Sequence, residues 1–318
     1  MKNHTRFLYA MLALFLLFAC SNQDKSNQLI IFHAGSLSVP MKEVVQAFKI
    51  ENPDIEILTE AAGSRACARK ITDLNRECDI MASADYTVID ELLIPDYADW
   101  NVKFASNKMT IVFTEKSQYS DLIDSTNWFD VLLKDDVAFG RSDPNSDPCG
   151  YRTVLVSKLA ELYYNKLGIS ETLLAKDQKY IRPKETDLLA LLETNTLDYI
   201  FIYRSVAIQH HLNFIELPAK INLENPGYAD YYKQASVEIS GKKLGEKVVK
   251  IGEPMIYGVT VLKNAPHKEH ALKFADFLLS EKGMSIMEKN GQPSIIPTMT
   301  NSFDQIPEGL KKYALKNY

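Results

Sequence analysis

In the first third of the chain, short apolar runs alternate with stretches whose apolar residues return every three or four positions. Residues 29–32 read as a buried strand that runs into His33-Ala34-Gly35-Ser36. Residues 39–50 place Met41, Val44, Val45 and Phe48 on one helical face, and Asn52-Pro53-Asp54 is a turn. A second strand, 55–58, runs through Thr59 and Glu60 into Ala61-Ala62-Gly63-Ser64. The spacing then predicts a helix over 64–77 with Ala68, Ile71 and Leu74 inward, a strand over 79–82 and a helix over 87–93. Strands recurring between helices predict an α/β fold with a parallel sheet.

The two Gly-Ser turns carry the first chemical signal. A strand, a Gly-Ser turn and a helix start together aim free backbone N–H groups at an anion, glycine allows close approach, and serine adds a hydroxyl donor. A single such serine is also an ordinary helix cap. Two such turns within 30 residues suggest a composite oxyanion site.

Further along, 104–105 and 109–114 form an extended run and 137–140 a short strand. Residues 141–150 break all periodicity. A helix over 151–167 is expected to turn Val154, Val156, Leu159, Leu162 and Tyr163 inward. Helices over 186–193 and 205–211, strands over 198–203, 236–239 and 256–262, and a closing helical pair over 267–279 and 280–289 complete the reading. This is too many strands for one sheet. Two α/β lobes are expected, 29–110 with 255–318 and 111–254, joined by crossings near 104–114 and 255–262. A ligand would bind between them, where strand ends and helix N-termini converge.

The start of the chain reads differently. Lys2, His4 and Arg6 precede an apolar stretch over 7–19, and Cys20 ends it. Residues 1–19 read as a signal peptide, too short for a membrane span. Leu17-Phe18-Ala19 before Cys20 looks like a bacterial lipobox, which implies cleavage and acylation of Cys20. A plain secretory signal is the other reading. Residues 20–28 would be the lipidated cysteine and a polar tether. The formal charge is −5 and the leader carries two cations, so the remainder is more acidic still. That argues against nucleic acid as a partner. Cys67, Cys78 and Cys149 show no CxxC spacing; Cys67 and Cys78 are read either as buried thiols or as a disulfide.

Two segments hold candidate ligand groups. In Asp143-Pro144 and Asp147-Pro148, Pro148 suits a first helical turn and Asp147 the cap before it. In 182–187, Pro183 precedes a helix and Glu185 falls in its first turn, where a carboxylate complements the dipole. Both have plain structural readings, and Tyr203, at the end of 198–203, reads as core as readily as ligand. Ser83 and Asp85 end the third strand near the cleft. His210-His211 point to different helix faces, and His33 borders the first turn. Tyr163-Tyr164 and Tyr231-Tyr232 fit packing as well as iron binding. No GxSxG, HExxH or P-loop pattern occurs.

Taken together, FHAGSLSVP at 32–40, EAAGS at 60–64, DIMASADYTVI at 79–89, SDPNSDPCGYR at 142–152, RPKETDLL at 182–189, LDYIFIYRSVA at 197–207 and YGVTVLKNAP at 257–266 resemble one family. It is the archaeal-type molybdate/tungstate-binding proteins, the solute receptors of ABC importers (WtpA and ModA). The resemblance spans nearly all of the mature chain. It implies a type II periplasmic-binding fold, no catalysis, no cofactor, and tungstate or molybdate as ligand. It further implies an importer permease as partner, a monomer, and a position outside the cytoplasmic membrane, tethered through Cys20. Asp147 and Glu185 would correspond to the carboxylates that coordinate the metal of the oxyanion. Gly35, Ser36, Ser64, Pro148, Cys149 and Tyr203 would correspond to the surrounding donor shell. The rivals are a receptor for sulfate, thiosulfate or phosphate, a secreted metal-dependent hydrolase using the same carboxylates, and a ferric-iron receptor.

Overall fold

The computed structural model describes residues 27–317, so the expected leader and Cys20 lie outside the described residues. Twelve strands build the body: β1 (Gln28–Ala34), β2 (Glu56–Ala62), β3 (Ile80–Ser83), β4 (Val102–Ser106), β5 (Met109–Phe113), β6 (Phe139–Ser142), β7 (Ile181–Arg182), β8 (Tyr199–Tyr203), β9 (Asn213–Ile215), β10 (Ser236–Ser240), β11 (Lys247–Ile251) and β12 (Ile256–Val261). They form two five-stranded sheets, ordered β2-β1-β3-β12-β4 and β7-β6-β8-β5-β9, while β10 and β11 pair as a separate hairpin.

The two sheets repeat one plan. In each, the first three strands run parallel and the fourth, β12 or β5, runs antiparallel to both neighbours. Each antiparallel strand reaches its sheet by a crossing. Asn107 and Lys108 alone separate β4 from β5, and residues 252–255 lead from the hairpin back to β12. The result is two lobes with the ends of β1, β3, β6 and β8 facing one another.

Helices cover the sheets, so the central strands are apolar along their whole length, as in β8, which is buried throughout. Two predicted helices differ in extent. The helix Ser64–Thr72 stops short of Leu74, which is largely exposed rather than inward. The helix Pro148–Tyr164 starts earlier than expected and ends at Asn165 in the left-handed conformation, φ 52°. Leu162 and Tyr163 in its last turn are exposed, not inward. A separate helix, Ile169–Lys176, follows where the pattern showed none. Cys67, Cys78 and Cys149 are buried free thiols.

Candidate functional site

Asp147 sits before the helix Pro148–Tyr164 with extended backbone, and Pro148 takes the first turn. Its Oδ1 accepts the Cys149 N–H at 3.1 Å, an ordinary N-cap. Its Oδ2 accepts the Glu185 N–H at 2.9 Å, which locks the 185–188 turn against the helix start. Both readings of Asp147 are therefore compatible: the cap leaves further lone pairs on each oxygen.

The Glu185 carboxylate is 1% exposed, and neither oxygen has a hydrogen-bond partner among the described residues. Burial and the charge of Asp147 push this carboxyl well above the ordinary range. The N–H dipoles of Glu185 and Ser36, which lie nearby without forming a hydrogen bond to it, offset only part of that. Burial raises Asp147 too, partly offset by its contacts with Glu185, Ser142 and Cys149.

The opposite lobe closes over this pair with its two Gly-Ser turns. A Cβ on Gly35 would stand 2.9 Å and 3.0 Å from the two Glu185 oxygens. One on Gly63 would stand 2.4 Å from the Ser146 carbonyl oxygen. At Gly63, where the neighbour is backbone, only glycine permits this approach. The Ala66 N–H donates to the same Ser146 carbonyl at 3.1 Å. Neither Ser36 nor Ser64 caps its helix with its side chain. Ser64 Oγ instead accepts the Ala84 N–H at 2.9 Å, and Ser36 Oγ lies 3.0 Å from the Tyr257 hydroxyl.

Tyr203, buried at the end of β8, accepts from Arg152 Nη1 at 3.0 Å. Burial holds its phenol well above the ordinary range, the Arg152 charge offsets part of that, and the Asp147 carboxylate adds to it. The structure thus brings Gly35, Ser36, Asp147, Pro148, Cys149, Glu185 and Tyr203 to the lobe interface, with Ser64 beside them. Two surface clefts of about 680–690 Å³, one beside Asn101 and one beside Leu174, contain none of these residues. His210 and His211 lie at the end of the helix Arg204–Gln209, away from the site, and Tyr164 packs on Trp128 and Phe129.

Four polar residues that sequence reasoning left unassigned or barely noted, Arg152, Asp85, Asn107 and Gln292, support the site. Arg152 Nη1 also donates to the Ala84 carbonyl at 2.8 Å, and Nη2 lies 3.5 Å from Asp85. Asp85 also takes the Tyr151 hydroxyl and caps the helix Tyr86–Leu92 through Thr87 N–H. Asn107, in the first crossing, donates to Tyr257 at 2.8 Å and to Ser205 at 2.7 Å. Gln292 donates to the Ser36 carbonyl at 3.0 Å. Arg152 and Asp85 lay within quoted motifs, but neither position carried a sign that the two meet across the interface.

The arrangement offers carboxylate lone pairs at its centre with N–H and O–H donors around them. That suits a small solute with an electrophilic centre and acceptor oxygens outside. Two α/β lobes of this strand order, joined by crossings and closed over buried polar groups, define a type II periplasmic binding protein. The periplasmic molybdate-binding protein of Azotobacter vinelandii has this fold at TM-score 0.62 and 16% identity, over 85% of this chain and 99% of that one. The sulfate-binding protein SubI of Mycobacterium tuberculosis has it at TM-score 0.59 and 12% identity, over 85% and 88%. The chain belongs to the bacterial extracellular solute-binding proteins, whose family model matches residues 29–292, and within them to the WtpA family. It is 46% identical to the molybdate/tungstate-binding protein WtpA of Pyrococcus abyssi, over 91% of this chain and 90% of the relative. An uncharacterized solute-binding protein of Petrotoga mobilis is 48% identical over 92% and 91%. These are binding proteins, not enzymes.

Proposed function

We propose that the chain is the receptor of an ABC importer and captures tungstate or molybdate between its lobes, with Asp147 and Glu185 bound directly to the metal. The observation that carries this reading is the buried Glu185 carboxylate with both oxygens unpartnered, set against a second carboxyl. For a tetrahedral dianion such as sulfate that pair is repulsive in a desolvated site. Hexavalent tungsten and molybdenum accept two further oxygen ligands, so the same pair becomes bonding. Sulfur does not expand in this way, and the pair therefore discriminates against sulfate. The hydroxyls of Ser36, Ser64 and Tyr203 and the backbone at Gly35 and Cys149 would hold the oxo groups. The lipobox-like start supports attachment through Cys20 on the outer face of the cytoplasmic membrane, beside an importer permease.

Calorimetric titration of the chain from Ser21 with tungstate, molybdate, sulfate and phosphate tests the reading. One-to-one heat with the first two alone is the expected result. Tight sulfate or phosphate binding would remove the coordination role of the carboxylates. Silence from all four would remove the oxyanion receptor itself.

A further inference from the structure

The three hydroxyls of the site share a feature: each is held from behind. A hydroxyl whose oxygen already accepts a hydrogen bond has its proton left to point elsewhere. Ser64 Oγ accepts from Ala84 N–H at 2.9 Å, and Tyr203 accepts from Arg152 at 3.0 Å. Tyr257 accepts from Asn107 at 2.8 Å, so its own proton is free to go to Ser36 Oγ at 3.0 Å. All three are then set as donors, the polarity that oxo groups require.

Arg152 is the support that carries a charge, and its partners lie in both lobes. It belongs to the helix Pro148–Tyr164 of the second lobe and is 3% exposed. Tyr203 is in the same lobe, whereas the Ala84 carbonyl at 2.8 Å and Asp85 at 3.5 Å follow β3 in the first. Ala84 binds at both ends: its N–H holds Ser64 and its carbonyl holds Arg152. Two hydroxyls from opposite lobes thereby sit on one chain, Ser64–Ala84–Arg152–Tyr203. A guanidinium is a donor only and does not deprotonate in proteins, so it never competes for the tyrosine proton.

We propose that Arg152 is a positioning residue that fixes the Tyr203 hydroxyl as a donor to the bound oxyanion, and that lobe closure fixes Arg152. The inference rests on the oxyanion-receptor reading. A purely structural Arg152 would hold the lobes through Asp85 and leave Tyr203 indifferent to it.

A double-mutant cycle in the full chain separates the two roles, with tungstate affinity measured by calorimetry. Arg152→Lys keeps a charge but lacks the planar fork that lets Nη1 serve Ala84 and Tyr203 while Nη2 faces Asp85. It should weaken binding about tenfold, and Tyr203→Phe by a similar factor. The double variant should bind no more weakly than Tyr203→Phe alone. Losses that multiply would overturn the positioning role while leaving the receptor reading intact. Absence of binding to tungstate, molybdate, sulfate and phosphate by the unmodified chain would overturn both. If Arg152→Lys does not fold, Arg152→Gln carries the same cycle, since Asp85 keeps Tyr151 and the Thr87 N–H as partners.

Discussion

Replacing Glu185 by Gln should allow the receptor to close without its solute. In the closed arrangement this carboxyl is buried, has neither oxygen paired, and faces Asp147. Leaving a buried polar group unpaired costs about 1–3 kcal/mol, and more when it is charged. A glutamine keeps the shape, carries no charge, and can donate an amide N–H to the Asp147 carboxylate. The relief is about 2 kcal/mol, which shifts an open–closed equilibrium about 30-fold toward closed. Small-angle scattering with and without tungstate reads this directly. The unmodified chain should be extended without solute and compact with it. The Glu185→Gln chain should hold a large compact population in plain buffer and should not respond further to tungstate. A variant as extended as the original without solute would refute the burial argument. One that still compacts on tungstate would refute the coordination argument.

Asp147→Asn should act in the opposite direction on stability. Both Asp147 oxygens are in use, and an asparagine can serve Cys149 N–H or Glu185 N–H but not both. The loss is about 1–2 kcal/mol, or about 2–4 °C in melting temperature for each kcal/mol. Gly63→Ala should leave each lobe folded and reduce tungstate affinity at least about 100-fold, since the new Cβ would meet the Ser146 carbonyl at 2.4 Å; calorimetry and circular dichroism check the two halves. His33, pushed down to about 4 by burial, stays neutral in the fold while the unfolded chain protonates near 6.5. Its stability contribution is present above about pH 6.5 and is lost as pH falls toward 4, up to roughly 3 kcal/mol, and urea melts should show less of this loss in His33→Gln. Cys20→Ser should release the chain from membranes into the soluble fraction if acylation anchors it, a result read by detergent partitioning.

Much of the candidate site was legible because each member stands at the edge of an element. Asp147 before Pro148, Glu185 after Pro183 and the serines after glycine all leave local marks, since helix starts need particular residues to satisfy free N–H groups. The same marks hid the difference between cap and ligand at Asp147, and the structure shows why. Capping consumes one lone pair on each oxygen and leaves the others free. Leu74, Leu162 and Tyr163 were misplaced for a related reason. A helical apolar pattern does not announce its own end, and these three lie at or beyond the last turns. The short edge strands β7 and β9 carry too few residues for any period to show.

The supports behind the site were not legible, and the reason is tertiary. Arg152 lies inside a helix, where an arginine ordinarily faces water, and it is buried between Tyr203 of its own lobe and Ala84 of the other. Asn107 reads as a linker residue, yet the crossing places its amide between Ser205 and Tyr257, where it sets the direction of a hydroxyl chain that ends at Ser36. Gln292 comes from far along the chain to the Ser36 carbonyl. None of these contacts has a local sequence cause; each joins residues far apart in the chain. The first ring of groups of the candidate site is thus written into element boundaries. The ring that aims those groups arises where the lobes and their crossings meet, so substitutions in that second ring should change affinity through orientation rather than through contact.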